Sequence, residues 1–209
     1  MDTTHQKILV LFAHPALQRS RVNRHLIDGL AALEGVTFHD LYEVYPDHYI
    51  DVKAEQALLA AHDIIIMHFP FYWYSTPAIL KEWQDLVLTH GWAYGHDGQA
   101  LKDKTMFIMV TTGAPEQAYT PQGFHRATLS QLMLPLERTA QLCNMNYLPP
   151  FVVAGTHLME ANIIQKHKHD YHRLLKALIQ EQVDLDLAMK QQVLNHNLPL
   201  LLKEVDDVR

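Results

Sequence analysis

The chain has 209 residues, 48% of them apolar and 19% charged, with only 8 Gly and 10 Pro, a balance that fits one globular domain with a sizeable core and a modest appendage. Seventeen Lys and Arg against 23 Asp and Glu leave a formal charge of −6, the wrong sign for holding a nucleic-acid backbone by counterion release. The single cysteine, Cys143, excludes an internal disulfide, the start lacks the basic flank and cleavage site of a signal peptide, and the longest charge-free stretch, 64–80, holds Pro70 and Pro77 and falls short of the ~20 apolar residues of a bilayer span; the expectation is a cytoplasmic protein.

In chain order, KILVLFA (7–13) is an almost uninterrupted apolar run, as in a strand buried on both faces of a parallel sheet. Val22, Leu26, Ile27, Leu30 and Leu33 then recur at helical spacing behind Ser20, predicting a helix over 20–33 with Ser20 as its N-cap. Gly35 stops it, and the alternating 36–42 reads as an edge or near-edge strand. A short Ala/Leu helix over 53–61 leads through Asp63 into the buried strand IIIMHF. Pro77 opens a helix carrying Leu80, Trp83, Leu86 and Val87 on one face, and Gly91 begins the aromatic loop GWAYGHDG. Another buried strand over 105–111, a helix over 128–143, a strand over 151–154 and a helix over 161–182 follow. The segment 183–209 stays amphipathic, broken by Pro199, and reads as an added helix or docking tail.

Strands alternating with helices predict an α/β fold of three layers: a five-stranded parallel sheet in the flavodoxin-like order 2-1-3-4-5 over residues 1–182, with a C-terminal helical extension over 183–209. Ligands of such sheets bind beyond the carboxyl ends of the strands, which directs attention to the turns after strands one, three and four.

The first turn has neither G-x-G-x-x-G nor a P-loop. Its helix N-terminus with His14, Ser20 and Asn23 suits a phosphate, although Ser20 also reads as an ordinary cap and His14 as a turn residue. The second, Phe69 to Ser75, places Phe71, Tyr72, Trp73 and Tyr74 together directly after a buried strand; either a flat heteroaromatic ligand or packing against the next helix or a partner chain would cover such rings. The third opens with Thr111-Thr112-Gly113-Ala114, small residues that let backbone N–H groups approach a ligand edge or simply end a strand. Tyr119 and His125 follow it, able to pass a proton or steady negative charge if they share a pocket. His167, His169 and His172 read as a solvated helix face and not as a metal site.

Together, AHP with Ser20 and Asn23, FPFYWYSTPAILKEWQDLV, GWAYG and TTGAPEQAYTPQGFH resemble the flavodoxin-like NAD(P)H:quinone oxidoreductases of the DT-diaphorase type over about 7–178. The likeness is to the bacterial branch that includes the ancillary reductases of glutathione-gated potassium-efflux systems, whose LY-x-x-YPD-x-x-ID segment is similar to LYEVYPDHYID here. The resemblance implies that His14, Ser20, Arg21, Val22 and Asn23 hold the phosphate of FMN or FAD. Phe71, Tyr72, Trp73 and Tyr74 would border the flavin ring, Thr111, Thr112, Gly113 and Ala114 would meet its polar edge, and Tyr119 and His125 would act in catalysis. Tyr72 stands where mammalian-type enzymes carry Gln, and Ala114 where they carry a second Gly. The implied activity is ping-pong, two-electron reduction of a quinone by NAD(P)H, in a homodimer whose pockets the GWAYG aromatics complete. Two other roles are open at this point: an activating subunit docked on a potassium-efflux antiporter, and a one-electron flavodoxin-type carrier.

Overall fold

The computed structural model describes residues 5–203, so the last six residues of the expected extension lie outside the described ones. Along the chain run β1 (Ile8–Phe12), α1 (Arg21–Ile27), β2 (Val36–Asp40), α2 (Leu41–Val44), α3 (Val52–Ala60), β3 (Ile64–Pro70), α4 (Ala78–Val87), β4 (Thr105–Thr112), α5 (Leu129–Leu142), β5 (Asn146–Tyr147), β6 (Phe151–Ala154), α6 (Ala161–Ile179), α7 (Leu185–Met189) and α8 (Leu198–Leu201). β1, β3 and β4 are buried at every position, as their unbroken apolar runs predict. All pairings are parallel, in the order β2-β1-β3-β4-β5, with β6 also on β4.

The fifth strand of the expected order is split. β5 pairs with Thr105 and Met106, and β6 with the stretch from Met109 to Thr112. The Leu148 N–H still donates to the Met106 carbonyl at 2.8 Å, but Pro149 and Pro150 have no N–H, so the ladder lapses before resuming at Phe151. The alternation of side chains along each strand feeds two cores. Leu9, Leu11, Met67, Ile108 and Val110 pack under α3, α4 and α5. Ile8, Val10, Ile66, Phe107 and Met109 pack under α1, α6 and the C-terminal extension.

Several boundaries differ from the expected ones. α1 ends at Ile27, not Leu33, because Gly29 takes φ +85° and only a 3₁₀ turn at 30–32 continues. β2 stops at Asp40, whose carboxylate accepts the Tyr42 N–H at 3.0 Å and opens α2. Leu86 is 42% exposed, and Ile79 takes its place on the buried face of α4. Pro199 opens α8 instead of breaking a helix.

Two further features hold the frame. The LYEVYPDHYID segment, with Glu55 just beyond it, folds around one buried carboxylate: Glu55, 1% exposed, accepts from Tyr45 Oη at 2.6 Å and Trp83 Nε1 at 2.7 Å, with His39 Nε2 at 2.8 Å. Burial alone would raise its pKa, but the three partners outweigh that and hold it below the usual Glu range. The extension, meanwhile, is no loose tail over its described part. Val183, Ala188, Leu194, Leu198 and Leu201 are buried in the α6-side core, and the Asn195 amide brackets β6, accepting from Val152 N–H at 2.8 Å and donating to Val152 O at 2.9 Å.

Candidate functional site

A cleft of about 620 Å³ opens beyond the carboxyl ends of β1, β3 and β4. Its wall takes His14, Ser20, Arg21, Val22 and Asn23 from the first turn, Phe71 and Tyr72 from the second, and Thr111 and Gly113 from the third. Three segments separated by tens of residues thus meet at one place, the crevice that a doubly wound sheet provides. Trp73, Tyr74, Thr112 and Ala114 stand beside this wall; Thr112 turns its hydroxyl to the Ala114 carbonyl at 2.8 Å.

The first turn is organised from behind. Ser20 Oγ caps α1 by accepting the Asn23 N–H at 3.2 Å. The Asn23 side-chain amide donates to Ser20 Oγ at 3.1 Å and to Thr111 Oγ1 at 3.0 Å, so both of its N–H groups are committed and its Oδ1 is the acceptor for His68 Nε2 at 3.2 Å. His68 therefore carries its proton on Nε2. The ring is fully buried in β3, its Nδ1 has no partner, and burial pushes its pKa down to about 3, so it is a neutral donor. Ser20 Oγ already accepts two hydrogen bonds, which leaves its own proton to donate outward into the cleft. His14 accepts the Ala16 N–H on Nδ1 at 3.1 Å, which places its proton on Nε2, and burial lowers its pKa. The Arg21 guanidinium is tethered to the Met159 carbonyl.

The aromatic turn is built on strained backbone. Tyr72 and Ser75 exchange N–H···O bonds at 3.1 and 3.0 Å around Trp73 and Tyr74, both at positive φ (50° and 62°), the pattern of a two-residue type I′ turn that Asn-Gly usually occupies. Trp73 is 94% exposed, so packing under α4 accounts for Phe71 but not for this ring. Tyr74 Oη lies 3.2 Å from His125 Nδ1, and His125 stacks on Tyr119 with ring centroids 4.4 Å apart and planes 17° from parallel. Phe71 closes the cluster edge-on to Tyr74 and Tyr119. The fold therefore gathers the predicted pair Tyr119 and His125 at the aromatic turn. His125 Nε2 is buried without a partner, and burial raises the Tyr119 pKa, keeping its phenol protonated.

Three contributors, His68, Thr156 and His157, were not picked out from the sequence. His68 sits in an apolar run and reads as core; its signal was a histidine amid IIIMHF, which requires a hydrogen-bond partner. Thr156 and His157, from the turn after β6, also line the cleft, and the rule that singled out the turns after strands one, three and four applies equally to the fifth. A Cβ at Gly113 would lie 2.4 Å from Nε2 of the exposed His157 ring, the far end of a side chain free to turn aside. Of the histidines expected on a solvated face of α6 only His169 is exposed; His167 and His172 are half-buried, and His172 donates to the Leu26 carbonyl at 3.3 Å.

A twisted parallel sheet with helices on both sides and a ligand-sized cleft at its topological switch point defines a flavodoxin-like protein. Residues 6–175 match the family Flavodoxin_2, described as a flavodoxin-like fold, and the chain belongs to that family. It is 44% identical over 169 residues to the glutathione-regulated potassium-efflux system ancillary protein KefG of Cronobacter sakazakii, covering 81% of this chain and 92% of that one. The structure of general stress protein 14 from Treponema denticola in complex with FMN superposes with a TM-score of 0.79 at 39% identity, over 82% of this chain and 99% of that one. An NADPH-quinone reductase from P. pentosaceus gives 0.74 at 35% identity, over 80% and 96%.

Proposed function

We propose that the protein is an FMN-dependent NAD(P)H:quinone oxidoreductase, with the net reaction NAD(P)H + H⁺ + quinone → NAD(P)⁺ + hydroquinone. The observation that carries this reading is the single cleft whose wall draws on the turns after β1, β3 and β4. The residues present fit FMN on two counts: an outward Ser20 hydroxyl beside His14 and Arg19 for the phosphate, and an orphaned, buried His125 Nε2 beside exposed rings. FAD is accommodated by the same chemistry at the phosphate end.

When bound, FMN supplies the hydride-accepting and hydride-donating ring. The chain's residues bind and orient around it. His14 Nε2, Ser20 Oγ and the N–H groups of Arg21 and Val22 would hold the phosphate. Phe71 to Tyr74 would border the ring, and the backbone from Thr111 to Ala114 would face its polar edge. Tyr119, protonated, and His125 would donate hydrogen bonds where negative charge develops. A homodimer completed by the aromatics of 91–95 belongs to this reading.

The purified protein should be yellow and release a compound of FMN's mass on heating; a colourless protein that also fails to take up added FMN overturns the reading. His125→Gln should keep FMN but slow its reduction by NAD(P)H by roughly 10- to 100-fold in stopped-flow absorbance, and an unchanged rate would remove His125 from the chemistry.

The likeness to an efflux-system ancillary protein favours a second role that can coexist with the first: docking on, and activating, a potassium-efflux antiporter at a membrane. Among the described residues no helix is long and apolar enough to cross a membrane, so such a role would be peripheral. Co-purification with the antiporter, and flux stimulation by a variant unable to turn over, would support it.

A further inference from the structure

A second concavity, of about 560 Å³, lies between α6 and the C-terminal extension that folds back against it. Arg173 and Lys176 line it from α6 and Lys203 from the extension, with His172 alongside and Ala177 and Leu202 as its apolar part. No carboxylate lines it among the described residues, in a chain of formal charge −6. Arg173 and Lys176 are exposed, and neither enters an ion pair among the described residues. Lys203 is held at the rim, its ammonium donating to the Glu181 carbonyl at 3.3 Å. Arg173 and Lys176 both belong to α6, and Lys203 comes from the extension, beyond residues 6–175 of the family match.

We propose that this groove binds a small phosphate-bearing anion of nucleotide size. The volume is that of a ligand pocket. The exposed Arg173 guanidinium and Lys176 ammonium, one helical turn apart on α6 and in no ion pair among the described residues, suit phosphate oxygens through charge-assisted hydrogen bonds, and the apolar part suits the ring or chain attached to the phosphate. The site is separate from the cleft at the strand ends and does not rest on the FMN reading.

The test is calorimetric titration of ATP and of pyrophosphate into the full-length, FMN-saturated protein at low salt, beside Arg173→Ala/Lys176→Ala. Both positions are solvent-facing, so the double variant should fold. Saturating FMN keeps the probes out of the other cleft, and if the protein takes up no FMN the double variant still assigns the signal. Because Glu204, Asp206 and Asp207 follow Lys203 in sequence, the full chain makes their competition part of the measurement. The wild type should bind at least one probe, and the double variant should bind it roughly tenfold or more weakly. Flotation with phosphatidylglycerol vesicles identifies the source: binding to vesicles alone, lost in the double variant, assigns the phosphate to a lipid headgroup. Binding that survives the double substitution, or no binding to any of the three, overturns the proposal.

Discussion

Single side chains decide what the cleft can hold, and His68 is the one whose effect reaches furthest. It touches no ligand-facing surface, yet its Nε2–H fixes which way the Asn23 amide points and, through it, where the Ser20 proton goes. His68→Leu removes the donor at similar volume and strands a buried carbonyl; FMN affinity should fall roughly tenfold, about 1.4 kcal/mol. His68→Gln, whose amide can donate to Asn23 Oδ1, should restore most of it. Equal loss in both variants, or a loss that tracks Tm alone, would reduce His68 to packing. This chain of contacts was half legible in the sequence. Ser20 and Asn23 announce themselves as cap and near-cap by spacing, whereas a histidine inside a hydrophobic run carries no mark of which neighbour it serves.

At the level of elements, the apolar strands were the readable part, because burial on both faces leaves an uninterrupted run of Ile, Val and Leu that turns and surface helices do not imitate. The misread ends have local causes: Asp28-Gly29 closes α1 early, and Asp40 diverts the chain from β2 into α2. β5 was invisible because two residues carry no periodicity. The extension offered amphipathicity but not its target, since docking onto α6 and β6 is a long-range contact. Its keystone is testable. Asn195→Ala leaves the Val152 N–H and carbonyl unpaired in a residue only 4% exposed and should cost about 1–3 kcal/mol, read as a lower urea midpoint. A change within a few tenths of a kcal/mol would mean that the extension is held by its apolar residues alone.

Across the whole molecule, acid should be the condition that loosens it. His68 is neutral in the fold, with a pKa of about 3 against 6.5 when unfolded, so the unfolded chain takes up the extra proton between those values and stability falls as pH drops below about 6.5. Glu55, whose pKa is lowered by His39, Tyr45 and Trp83 against the cost of burial, contributes stability above its ordinary range that disappears as pH falls through the lowered value. Urea midpoints measured from pH 7 to pH 4 should decline steadily in the wild type and less steeply in His68→Gln. Parallel slopes would show that His68 is not buried uncharged.

The bracket that Asn195 forms on β6 also bears on crowding. An uncovered sheet margin invites a stranger's backbone to continue the ladder, which is how soluble proteins begin to stick together. Here one amide takes both hydrogen-bonding groups of Val152, so on that side the sheet cannot recruit another strand at this position.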